Sequence, residues 1–184
     1  MNKKGSKFFW VSIALVVFFV AFLFLYLALF KPEGGQIINA RVVENPVVGL
    51  SDAQAVSKFD EDFVFYLIYN LEAYNLHNPP LSSNYPKIEV AVDNVIYNVL
   101  VIKGAIKVNL GAIKNEDLTI KTTKMEAVKM LRDSNYVKQS FNDKKSSIEL
   151  VAGKLTLFSK GYLNLYNNII GKSVTGNLIR IATD

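Results

Sequence analysis

From Phe8 to Phe30 the chain reads FFWVSIALVVFFVAFLFLYLALF, 23 residues without one charged side chain. Nothing else in the sequence restricts its folding as strongly. At a rise of ~1.5 Å per residue, a helix of that length reaches roughly 35 Å, enough to cross a ~30 Å hydrocarbon core with some tilt. A helix is the form expected there, because it satisfies its own backbone polar groups where no water can. Trp10 and Tyr26 stand near the two ends, where amphipathic rings favour the membrane interface. A cleaved secretory signal would have an apolar core of about 7–15 residues and a small-x-small cleavage site. This run is longer and exits through Leu29-Phe30-Lys31-Pro32, and the chain has no cysteine to acylate. The expectation is an uncleaved single-pass anchor, with the lipid bilayer as the first partner.

Orientation follows from the flanks. Lys3, Lys4 and Lys7 precede the run with no acid among them, whereas Lys31, Glu33, Arg41 and Glu44 follow it. The lysine bias places the amino terminus in the cytoplasm and the rest of the chain on the far side. The predicted division is a basic tail over 1–7, a transmembrane helix over 8–30, a connector over 31–48 and one domain over 49–184.

Composition narrows the class of that domain. Three of the 21 basic residues lie in the tail, leaving 18 against 16 acidic ones. A nearly balanced domain with interspersed signs offers no basic face for nucleic acid. The absence of cysteine removes disulfides, thiol catalysis and cysteine metal sites together. Such a domain must be held by its apolar core.

Along the chain, Ser51 and Gln54 form a capping box. Val56, Phe59, Phe63, Leu67, Leu71 and Tyr74 then recur at helical spacing, predicting one helix to about Tyr74. His77-Asn78-Pro79-Pro80 ends it. The period changes to two over 87–93, 95–103, 105–110 and 117–122, predicting four strands, with turn residues at Asp93-Asn94 and Lys103-Gly104. Val95 to Ile102 is apolar on both faces, which predicts a strand covered on both sides. A second capping box, Thr123 with Glu126, opens a helix to about Arg132, and a short helix is expected over 136–141. Residues 147–160 fit either a strand or a helix; Gly153 and Gly161 favour a strand, since each taxes a helix by ~1 kcal/mol. A closing amphipathic helix runs from Tyr162 to Ile170, with Gly171 as its cap. The order implies an α+β domain with an antiparallel sheet of four strands plus one or two more, and helices over one face.

The succession YNVLVIKGAIKVNLG, DLTIKTT into MEAVKML, YVKQSF and finally GKLTLFSKGYLNLYNNI resembles the sterol carrier protein type 2 family over roughly Gly49 to Gly171. The Gly-Lys-Leu with a following Lys-Gly is its most family-like wording. The resemblance implies a five-stranded sheet under helices, an apolar tunnel for fatty acyl chains, sterols or other lipids, and no catalysis. The family's ligand contacts are scattered hydrophobics, so no residue carries over by position. The anchor and the aromatic first helix depart from the family, and they set free shuttling between membranes aside.

Catalytic chemistry finds little material. His77 is the only histidine, and packing in a proline loop is its expected role. No metal ligands recur at ligand spacing, no Gly-x-Ser-x-Gly elbow presents a serine, and no cofactor is implied. Asp60-Glu61-Asp62 reads as a solvated helix face, because consecutive residues point about 100° apart. What stands out is apolar excess: Phe59, Phe63, Tyr66, Leu67 and Tyr74 on the first helix, Val99 on the two-sided strand, and Tyr162, Leu165, Tyr166 and Ile169 on the last helix. These ten residues read either as plain core or as the lining of a lipid cavity. The competing expectation is an extracytoplasmic module whose exposed aromatic helix docks onto a membrane protein partner.

Overall fold

The computed structural model describes residues 13–22, 25, 44–79 and 82–170. The chain divides into two compact units, 1–33 and 34–184. In the first, residues 13–22 are helical, and the rings of Phe18 and Phe22 stack one turn apart at 6.5 Å. Among the described residues, no helix is long and apolar enough to cross a membrane. The remaining predicted span, the basic tail, the connector over 31–43, Pro80, Gly171 and the segment after it lie outside the described residues.

The second unit opens with helices α1 (Asp52–Ser57) and α2 (Glu61–Asn70), followed by a 3-10 turn at Ala73–Asn75. The single helix expected from Ser51 to Tyr74 is thus three pieces. Ser51 and Gln54 form the anticipated reciprocal box on α1. Asp60 then caps a new helix, accepting from the backbone N–H groups of Asp62 and Phe63 at 3.0 and 3.4 Å. An acid that satisfies orphan donors at a helix start stabilises the break itself. Part of the acidic triplet is therefore a cap rather than a solvated helix face.

Three strands follow, β1 (Lys87–Val92), β2 (Val95–Ile102) and β3 (Ala105–Leu110), joined as an antiparallel meander. Lys103 and Gly104 both take positive φ in the second join, the backbone that a tight hairpin requires. Then come β4 (Leu118–Thr122), α3 (Lys124–Arg132), α4 (Ser134–Asn142), β5 (Ser147–Leu150), α5 (Lys154–Ser159) and α6 (Tyr162–Ile170). The sheet order is β3-β2-β1-β4-β5.

The sheet is mixed rather than antiparallel, because β4 pairs with β1 in parallel. After the meander β3 already runs in the direction of β1. Residues 111–117 carry the chain to the free side of β1 without reversing it. The placement suits the sequence: Leu118, Thr119, Ile120 and Thr122 are all buried, as an interior strand demands, while β3 keeps Lys107 and Asn109 exposed on an edge.

Alternation sets the layers. Ile88, Val90, Val92, Tyr97, Val99 and Val101 are buried together with residues of each helix from α1 to α6 in one continuous core. On the opposite sheet face Ile96 is exposed, while Leu100 and Ile102 are half-buried. The expectation of a strand covered on both sides is corrected: β2 is apolar both ways but packed on one. The segment over 147–160 resolves into both alternatives, a strand to Leu150 and then a helix. Gly153 occupies the cap position of that helix, so the Gly-Lys-Leu wording opens a helix instead of lying in a strand. The end of the connector is fastened to the domain. Asn45 Nδ2 donates to the Leu131 carbonyl at 2.9 Å, Val47 is buried, and Arg132 donates to the carbonyls of Val47 and Leu50.

Candidate functional site

The predicted lining residues converge from three distant stretches of chain onto the layer between helices and sheet. Phe59 leads into α2, which contributes Phe63 and Leu67; β2 contributes Val99, and α6 contributes Tyr162, Leu165 and Ile169. All seven are buried in the core, and the rings of Phe59 and Phe63 lie 5.0 Å apart. Tyr66 packs against this cluster half-buried. Tyr74 and Tyr166 are also half-buried, and Tyr74 meets the ring of Tyr69 at 5.1 Å instead of joining the layer. The helical spacing that selected these residues is also why they gather: side chains three and four apart share one face, and that face must be buried.

Polar groups close the layer at both ends of β4. Before the strand, Asp117 is 3% exposed and Lys160, between α5 and α6, is fully buried. Lys160 Nζ donates to both carboxylate oxygens, at 2.9 and 2.8 Å, and also to the Tyr85 carbonyl and Asn84 Oδ1. The backbone N–H of Lys87 donates to Asp117 Oδ2 at 2.8 Å. The Tyr162 hydroxyl lies 3.0 Å from that oxygen and 3.2 Å from the Lys87 carbonyl. Burial first, and then the adjacent Asp117 carboxylate, push the Tyr162 phenol far above its ordinary range, so it stays a neutral donor. A buried charge persists only with such complete pairing.

At the other end, the Thr122 hydroxyl meets Ser146 at 2.7 Å and Ser146 meets Ser140 at 2.9 Å. Ser140 and Tyr136 donate to Glu126 Oε2 at 3.1 and 2.8 Å, and Lys129 donates to Oε1 at 3.0 Å. Burial alone would raise the Glu126 carboxyl, but the hydrogen bonds from Lys129, Tyr136 and Ser140 outweigh it and hold the group below its usual value. The carboxylate thus faces α4, leaving Thr123 as the cap of α3 through its bond from the Glu126 N–H. The second capping box is therefore only half formed.

Asp117 and Lys160 spend their polar atoms on each other, on the Tyr162 hydroxyl and Asn84 Oδ1, and on the backbone. His77 sits exposed in its proline loop, with Nδ1 3.1 Å from the Asn78 carbonyl. Among the described residues, no group of three or more His, Cys, Asp or Glu side chains could hold a metal ion. Sequence reasoning assigns Asp117 and Lys160 no role. The one available signal was a lysine inside an otherwise uncharged stretch, Leu155 to Tyr162, rich in large apolar side chains.

The described fold defines the class: an α+β domain built on a five-stranded mixed sheet. No protein-family profile matches the chain, and no curated protein matches it. Among solved structures, 57% of the chain is similar to 16% of a double mutant of the sec-alkyl sulfatase PisA1, with a TM-score of 0.41 and 12% identity. In a second comparison, 53% of the chain is similar to 92% of sterol carrier protein 2 like 2 from Aedes aegypti, with a TM-score of 0.32 and 15% identity. The chain therefore spans only a small part of the sulfatase's length.

Proposed function

We propose that this protein is a membrane-tethered, non-catalytic domain that takes an apolar ligand, a fatty acyl chain, sterol or other lipid, between its helices and its sheet. The observation carrying this reading is the apolar layer walled by α2, β2 and α6, with polar groups confined to the ends of β4. Ligand sites for apolar molecules are built this way, with few polar groups and those at the margins. The sterol carrier-like ordering in the sequence points in the same direction. The uncharged run from Phe8 to Phe30 supplies the tether, with its amino terminus cytoplasmic and the domain beyond the membrane. Docking of a membrane protein partner through the aromatic stripe has less to recommend it, since Phe59, Phe63 and Leu67 are buried.

Native mass spectrometry of the full-length protein, released from detergent, tests the proposal. The expected result is lipid retained at about one per chain and displaced by a fluorescent fatty acid. A bare mass together with no uptake of the fatty acid contradicts it.

A further inference from the structure

Helix α5 is apolar on two sides. Leu157 is buried against the core, while Leu155 and Phe158, three residues apart on the outward face, are 81% and 69% exposed, and Val151 just before the helix is 46% exposed. This exposure is not that of a frayed segment, because Asp117 fastens the helix at both ends. Its carbonyl accepts from the N–H groups of Val151 and Ala152 at 3.0 Å each, and its carboxylate holds Lys160 immediately after the helix. A helix pinned so firmly, yet turned outward with leucine and phenylalanine, is built to present them.

The geometry points to a shallow lipid-contact surface, in which Val151, Leu155 and Phe158 enter the outer layer of an anionic bilayer. The inference rests on the tethered reading above and adds to it the face that meets the lipid. Three arguments select the bilayer. Lys154 is exposed beside the patch, and from Leu150 to Lys160 no acid stands with it, the charge of Lys160 being matched by Asp117. That sign suits anionic headgroups. Three side chains fall far short of the roughly 20–30 residues a side that a stable protein interface uses. The connector from Lys31 to Val43 reaches at most about 45 Å at ~3.3–3.6 Å per residue. A tether of that length keeps the patch at a high effective concentration near the surface, so weak insertion suffices.

The chain has no native cysteine, so Leu155→Cys and Phe158→Cys, with Lys107→Cys on the exposed edge strand as reference, each accept one environment-sensitive fluorophore. The labelled full-length proteins are reconstituted into vesicles of phosphatidylcholine and phosphatidylglycerol and washed in carbonate. The expected result is retention in the membrane, with the probes at 155 and 158 quenched by spin-labelled lipid and shielded several-fold from iodide relative to 107. Retained protein whose probes at 155 and 158 are as open to iodide as that at 107 overturns this inference alone. Shielding from iodide without quenching by lipid also overturns it, since protein rather than bilayer then covers the patch. Loss of the protein in carbonate overturns the tethered reading, and this inference with it.

Discussion

The two ends of β4 solve one problem, fastening helices to a sheet, by different chemistry. Before the strand, a sealed ion pair ties Asp117 to Lys160 and Tyr162. After it, hydroxyls pass from Thr122 through Ser146 and Ser140 to Glu126, which Lys129 reaches from a half-exposed position. The first network holds full charges out of water, so each member depends wholly on the others. The second shares one nearly buried carboxylate among a half-exposed lysine and neutral hydroxyls, so losing a member leaves less unpaired. Burial, rather than the number of hydrogen bonds, decides how much is at stake.

The comparison breaks most sharply at Lys160. Lys160→Met leaves the Asp117 carboxylate buried without its cation and should destabilise the domain by ~3–5 kcal/mol, read from chemical denaturation of the full-length protein in detergent. Adding Asp117→Leu to that variant should restore part of the loss, because no unpaired charge then remains. If the double variant is as unstable as the single one, the charge is not the dominant effect.

Glu126→Gln sharpens the other side, with an expected loss of about 1–2 kcal/mol at neutral pH. Because the folded carboxyl lies below its ordinary value, its contribution is fully present above about pH 4.3 and disappears as pH falls through the folded value. The gap between wild type and variant should therefore close on the acid side in a series of denaturation curves. Asp60→Ala, which removes the cap at the break before α2, should lose about 1 kcal/mol. Leu155→Ser should change stability by less than ~0.5 kcal/mol, since that side chain already faces outward.

Much of the fold was legible because its signals are local. Period-two alternation marked all four strands over 87–122, and helical patterning marked α3 and α6. The errors arose where distant residues decide. The parallel pairing of β4 depends on which sheet edge is free after the meander, and no window of sequence contains that edge. The break at Asp60 was hidden because the apolar spacing continues across it, although an acid placed before Phe63 is itself a start signal. Residues 154–159 form a helix right after Gly153, since a glycine at the cap spares the helix interior. Of the candidate site, the apolar residues were found by periodicity, but the Asp117–Lys160 pair spans 43 positions and leaves no signature beyond a lysine in an otherwise uncharged stretch.

The most direct test of the proposed lipid site uses a photoactivatable fatty acid added to the full-length protein in vesicles, followed by peptide mapping of the cross-links. The account predicts labelling of peptides from Phe59 to Leu71 and from Tyr162 to Ile170, competed away by unlabelled fatty acid. Cross-links confined to the apolar run before residue 31, or unaffected by competitor, would contradict it.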